Sequence, residues 1–228
     1  MSRILVEACV QGIESARAAA EGGADRIELC EDLAVGGVTP SIGTIVVARQ
    51  HLSIPVHVLI RSRGGDFVYT GAEFTAMLSD IAAVRSAGVA GVVVGVLEAD
   101  GRIDRGRTAG LVEAAGPLAV TFHKAFDEVP DRDEALETLV ELGVGRILTS
   151  GGSPSAREGL AELERLHRLA SGRIGILAAG RIREADLPGL LGIGLEEVHV
   201  GSAIGEPGRT DPALVRGFVG RVRELEHC

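Results

Sequence analysis

The sequence predicts a (β/α)8 barrel of the TIM-barrel class, a single domain over residues 1–228. Eight short apolar runs alternate with segments of helical period, one unit per about 28 residues, close to the ~30 of a strand-helix-strand repeat. Several units enter their strand in the same way: ARAAAEGGADRIEL, VRSAGVAGVVV, LVELGVGRIL and LLGIGLEEVHV each close a helix at glycine and then start an apolar run. No Pro/Ser-rich linker divides the chain, and EACVQGIESA after the first run lacks the G-x-G-x-x-G that a dinucleotide-binding open sheet would carry there.

The strands are expected at Ile4–Cys9, Arg26–Cys30, Pro55–Arg61, Gly91–Leu97, Leu118–His123, Arg146–Ser150, Ile174–Ala178 and Glu197–Gly201. Glycine makes up 32 of 228 residues, about twice the usual ~7%. Part of that excess closes helices, because glycine accepts the left-handed conformation that follows a helix end; Gly23, Gly88, Gly143 and Gly194 stand at such positions. Helix starts are marked by Asp131 with Glu134, Ser155 with Glu158, Thr39-Pro40 and Asp211-Pro212. Pro188 requires the seventh helix to begin late or be short.

Composition narrows the function. With 32 acidic against 23 basic residues the net charge is -9, which opposes the basic footprint of a nucleic-acid binder. The longest uncharged apolar run, Gly88 to Leu97, falls far short of the ~18 residues of a membrane span. MSRILVEACV is too short and too acidic for a secretory signal, so a cytoplasmic protein is expected. Three cysteines, Cys9, Cys30 and Cys228, make no even disulfide framework and are expected as reduced thiols.

In a barrel the chemistry lies at the carboxyl ends of the strands. Side chains alternate along a strand, and the uniformly apolar face of each strand must meet the helices. By that parity Glu7, Cys9, Glu28 and Cys30 point into the barrel, as do His57, Leu59, Arg61, Thr121, His123, His199 and Gly201. A single inward Glu or His is ordinarily a satisfied core residue, and Glu28 has Arg26 beside it as an internal ion-pair partner. Several converging ionisable groups are harder to account for by packing, since buried charges persist when paired or used. Glu7, Glu28, His123, Asp127 and His199 are therefore candidates for acid–base catalysis, with Asp127 placed to orient His123 or a substrate.

The loop IRSRGGDFVYTG offers Arg61, Arg63 and Asp66 around two glycines, suited to an anion or equally to a well-capped surface turn. After the last two strands, Gly180, Arg181, Gly201 and Ser202 have the composition of a phosphate cradle, though such turns also serve tight packing. Lys124, the only lysine, has parity opposite to His123 and is expected to face away, which argues against Schiff-base chemistry. Cys9 and Cys30 end neighbouring strands with inward parity. A pair of soft thiolates suits Cu(I), while buried cysteines otherwise act as small hydrophobes.

The successive segments GGADRIELCEDLAVGGVTPS, IPVHVLIRSRGGDF, GVLEADGRID, LAVTFHKAFD, RILTSGG and LEEVHVGSA resemble, in order and spacing, the signature of the copper homeostasis CutC family. The resemblance runs from Glu7 to about Ser202. It implies a cytoplasmic (β/α)8 barrel forming homo-oligomers, linked to copper tolerance, with Cys9 and Cys30 matching the cysteines proposed to hold Cu(I). An enzymatic role on a small anionic or phosphorylated metabolite is the alternative. The chain departs from the family at Arg61-Ser62-Arg63, where Arg-Pro-Arg is usual, and at His123-Lys124, where Arg follows the histidine; an amine that arginine replaces is not a Schiff-base nucleophile. The segment Gly205 to Asp211 is also shorter than in many members.

Overall fold

The computed structural model describes residues 3–206 and 208–226. Cys228 lies outside the described residues. Eight parallel strands close into a barrel in chain order, the last pairing with the first. They are β1 (Leu5–Gln11), β2 (Arg26–Cys30), β3 (Val56–Leu59), β4 (Gly91–Val94), β5 (Ala119–Phe122), β6 (Arg146–Thr149), β7 (Gly175–Ala178) and β8 (Glu197–Val200). The helices are α1 (Gly12–Glu21), α2 (Ile42–His51), α3 (Gly71–Ser86), α4 (Arg105–Ala115), α5 (Arg132–Glu141), α6 (Leu160–Ala170), α7 (Leu187–Gly192) and α8 (Pro212–Leu225). A two-stranded hairpin, β9 (Gly205–Glu206) with β10 (Arg209–Thr210), carries the chain from β8 to α8.

The main core is the layer between strands and helices. Val6, Ala8 and Val10 of β1 and Ile27 and Leu29 of β2 belong to one buried cluster with Ala16, Ala19, Ile45, Met77, Leu111, Leu136, Leu163 and Phe218 of the surrounding helices. Each fully buried aliphatic or aromatic side chain contributes about 1.5–3 kcal/mol, so this layer supplies the main driving force for closure. At the helix-to-strand junctions Gly23, Gly88, Gly143 and Gly194 all have φ between +75° and +93°. Each donates its N–H to the carbonyl three residues earlier, so the chain turns from helix into strand without an orphaned amide.

Boundaries differ where local signals were ambiguous. β1 runs on to Gln11, because Cys9, Val10 and Gln11 pair with Glu28, Leu29 and Cys30. β3, β4 and β5 end earlier than expected, leaving Arg61, Gly95 and His123 in the loops that follow. Thr39-Pro40 does not cap α2; Ser41 does, accepting from the Thr44 amide at 3.1 Å, while Thr39 bonds Arg61 across the loop. Ser155 and Glu158 bond as expected, but α6 begins only at Leu160. Asp131 and Asp211 do cap α5 and α8, and α7 is a six-residue helix with Pro188 in its first turn. Among the described residues no helix is long and apolar enough to cross a membrane.

Candidate functional site

The barrel interior is charged at its centre. Glu7, with 0% of its surface exposed, accepts a hydrogen bond from Arg26 through Oε2, and its Oε1 lies 2.8 Å from His199 Nδ1. Arg26 also donates to Glu197 at 2.8 Å, and Arg146 donates to the same carboxylate at 2.6 Å. Arg26 thus pairs with Glu7 and Glu197, not with Glu28 as adjacency along β2 suggested. Glu28 instead lies 3.5 Å from His199 Nε2. Neighbouring strands set this arrangement, since Glu7 is level with both Arg26 and His199, and Glu28 is level with Cys9 and His57.

These contacts separate the protonation states. Burial works against the Glu7 charge, but the His199 hydrogen bond and then Arg26 outweigh it and hold the carboxyl well below its usual range. Burial likewise opposes a charged His199, yet Cys9, Glu7 and Glu28 around it push the imidazole well above its ordinary value. Burial raises Glu28 to about 7. His57 falls to about 4 chiefly through burial, and His123 to about 3 through burial and then the nearby Arg61 charge.

The carboxyl ends of the strands surround a cavity of about 570 Å³, lined among others by Cys9, Glu28, Arg61, His123, Lys124 and His199. Two glycines of the β4 region make room for imidazoles from its neighbours. A Cβ on Gly91 would lie 2.7 Å from His57 Nε2, and one on Gly95 would lie 2.2 Å from His123 Cε1. Both contacts are too short for a side chain. The only sequence signal for this was the spacing in GVVVG, which puts Gly91 and Gly95 on the inward face.

Lys124 does not face away. The chain leaves strand geometry after Phe122 and turns into a 3-10 helix over Lys124–Glu128, so alternation no longer applies. Lys124 Nζ donates to Asp127 at 2.6 Å and to Ser150 Oγ at 2.7 Å at the cavity wall. Asp127 is occupied by the loop after β6, not by His123. It accepts from Thr149 Oγ1, from Ser150 through both N and Oγ, and from the Gly152 amide. Burial would raise its carboxyl, but Lys124 and these donors hold it low.

Of the expected anion-binding residues, Arg61 lines the cavity. Arg63 and Asp66 do not; Arg63 joins Asp66, Glu73 and the Val68 carbonyl, bracing the loop, and the Asp66 side chain is 68% exposed. Gly180, Gly201 and Ser202 are likewise absent from this wall. Gly180 packs on Ser150, Gly201 lies beside Cys9, and Ser202 borders a separate surface cleft with Arg209 and Thr210.

The sulfurs of Cys9 and Cys30 lie 4.0 Å apart. Cys30 donates to the Val10 carbonyl at 3.3 Å and packs with Leu59 and Val93. The sulfur contact with Cys30, followed by burial, raises the Cys9 thiol well above its usual range. Cys9, Glu28 and His199 each offer a ligand atom, all within 4.8 Å of one another. The Glu7 contact at Nδ1 leaves His199 Nε2 directed at this group, the arrangement by which carboxylates orient metal-binding histidines. Sequence parity placed Glu28 and His199 nearby, but did not reveal them as potential partners of the cysteine in holding an ion.

The two low histidines give stability a definite pH dependence. His57 and His123 bind fewer protons folded than unfolded near pH 5, so their contribution is present above about 6.5 and is lost as pH falls through about 4 and then 3. Glu28 acts in the opposite sense: its contribution is full below about 4.5 and is lost as pH rises through about 7. Stability is expected to peak near pH 6–7, and a tenfold difference in proton affinity between the folded and unfolded chain is worth ~1.4 kcal/mol. Urea midpoints from pH 8 to 4 test this, and a His57→Asn, His123→Asn variant is expected to lose less on the acid side. An equal acid slope would contradict the assignment.

Comparison with known proteins places these residues in context. The family model described as CutC matches residues 4–204. A CutC protein of Mesorhizobium japonicum is 50% identical over 196 residues, covering 86% of this chain and 76% of that protein. The crystal structure of CutC from Streptococcus agalactiae superposes with a TM-score of 0.83 at 34% identity, covering 87% of this chain and 98% of that one. An N-(5'-phosphoribosyl)anthranilate isomerase of Pyrococcus furiosus, 16% identical with a TM-score of 0.64 over 97% of this chain and all of that one, shares the fold alone.

Proposed function

The chain belongs to the CutC family, and from that premise we propose that it serves copper homeostasis by holding Cu(I) between Cys9 and Cys30 at the barrel mouth. The name of the Streptococcus agalactiae relative links that protein to copper homeostasis. The observation that carries the reading is the 4.0 Å separation of the two sulfurs. Two thiolate–metal bonds of ~2.3 Å laid end to end exceed that distance, so both sulfurs reach one ion. Soft thiolates favour Cu(I), and the apolar packing of Leu59 and Val93 around Cys30 restricts water there.

Both thiols must lose a proton when the ion binds, so affinity rises with pH. The His199 imidazolium beside Cys9 offsets the negative charge that accumulates. A Cys9→Ser, Cys30→Ser variant is expected to stay folded and to lose stoichiometric Cu(I) binding in competition with a colorimetric Cu(I) chelator under reducing conditions. Unchanged affinity would remove the reading.

A second reading, acid–base chemistry on a small anionic or phosphorylated metabolite, draws support from a different observation. Glu7 is hydrogen-bonded to His199, whose Nε2 lies 3.5 Å from Glu28 at a cavity that also holds Arg61 and His123. Two thiolates on a copper ion make no use of Arg61 and His123 in that cavity.

A further inference from the structure

Three side chains with metal-ligating atoms meet on the inner face of adjoining strands. Cys9 of β1 and Glu28 of β2 are level partners in the sheet, and His199 stands on β8, the other neighbour of β1. Their ligand atoms lie within 4.8 Å of one another, and among the described residues this is the one group of three that converges so closely. Strands carry all three, so the barrel holds the group in place and not a loop.

The surroundings prepare one atom for an ion. His199 donates Nδ1–H to Oε1 of the wholly buried Glu7 over 2.8 Å, and Glu7 is anchored in turn by Arg26. That leaves Nε2 as the ligating nitrogen, 3.5 Å from Glu28 Oε2. The 3.5 Å is already near the ~3.4 Å spanned by two tetrahedral zinc bonds of ~2.1 Å, and the sulfur has about an ångström to close. Arg26, on the same strand as Glu28, is taken by Glu7 and Glu197.

We infer that Cys9, Glu28 and His199 bind a borderline divalent cation, Zn2+ by its chemistry, with the fourth coordination position open to the cavity. This site goes beyond both readings above. It competes with Cu(I) for the Cys9 sulfur, and it makes Glu28 and His199 ligands instead of acid and base. One thiolate, one imidazole and one carboxylate form a mixed set that suits Zn2+, whereas Mg2+ and Ca2+ take oxygen and Cu(I) selects soft sulfur. The thiolate and the carboxylate together balance the two charges of the ion, so the bound group is neutral where it is buried. Three protein ligands with one open position is the count of catalytic zinc, while structural zinc is closed by four. All three residues line the cavity of about 570 Å³, from which water or a small anion reaches the open position. Cys30 stays outside the set, its sulfur bonded to the Val10 carbonyl and packed by Leu59 and Val93.

The test loads the whole reduced protein with Co2+, which reports its ligands by colour, and then with Zn2+. One equivalent of Co2+ is expected to give a thiolate-to-cobalt charge-transfer band and the intense visible bands of four-coordination, and one equivalent of Zn2+ to remove them. The charge-transfer band is expected to vanish in Cys9→Ser and to persist in Cys30→Ser and in Cys228→Ser. Zn2+ affinity is expected to fall by about tenfold or more in Glu28→Gln and in His199→Gln. The wild-type and Cys30→Ser spectra decide the matter even if a variant at Glu28 or His199 fails to fold. A weak six-coordinate spectrum without the thiolate band, loss of the band in Cys30→Ser, or full Zn2+ affinity in a folded Glu28→Gln variant would overturn the site. Competition of the same Cys30→Ser protein with a Cu(I) chelator reads the copper proposal separately. Cu(I) retained there counts against the cysteine pair and leaves the divalent site standing.

Discussion

Glu7→Gln is expected to cost about 3–5 kcal/mol of stability, the range for breaking a buried ion pair by removing one partner. The carboxylate is wholly buried and faces Arg26 on one side and His199 on the other, with His57 Nδ1 3.9 Å away. An amide of the same shape keeps the packing and removes the charge, so any loss reports electrostatics. Arg26 retains Glu197 as a partner, which moderates its own cost. His199 loses its strongest hydrogen-bonded counter-ion, so its imidazole is expected to titrate at lower pH. Urea denaturation at pH 7 measures the first effect and proton NMR of the imidazole the second. A loss below about 1 kcal/mol would show that Glu7 is held by shape alone.

Asp127→Ala is expected to be the next most damaging change, at about 3 kcal/mol. One carboxylate there receives Thr149, Ser150, Gly152 and Lys124, tying the 3-10 helix after β5 to the loop after β6. Hydrogen bonds to a charged group contribute about 1.5–3 kcal/mol each, and deletion leaves donors unsatisfied. The amides of Ser150 and Gly152 are expected to exchange with solvent much faster in the variant, while those of β1 and β2 keep their protection. Asp127→Asn, which retains an acceptor oxygen, is expected to lose less. Uniform loss of protection across the barrel would mean that Asp127 supports global folding and not this loop.

Much of the site was legible along the chain because strand alternation is a local property. Parity alone placed Glu7, Cys9, Glu28, Cys30, His57, Arg61 and His199 inside the barrel, where the structure has them. The same rule failed at Lys124, because alternation ends with the strand and a 3-10 turn brings the amine back to the cavity wall. Arg63 and Asp66 looked like an anion site by composition. They satisfy each other and their own loop, an outcome that composition does not distinguish from ligand binding. Gly91 and Gly95 went unread as functional positions, since their role lies in the side chains of β3 and of the turn after β5.

The sequence by itself determined the eightfold strand-helix alternation, the glycine turns that close four of the helices and the inward set of polar residues, and its signature segments carried the resemblance to one family. The alternation, the turns and the inward set follow from periodicity and backbone conformation, which need only near neighbours along the chain. Tertiary structure decided the partners. Glu7 meets His199 from 192 residues away, Arg26 pairs with Glu197 and not Glu28, and the Cys9 and Cys30 sulfurs come within 4.0 Å. Register between strands is set by closure of the barrel under its packed helices, so which inward group lies level with which is a property of the whole ring.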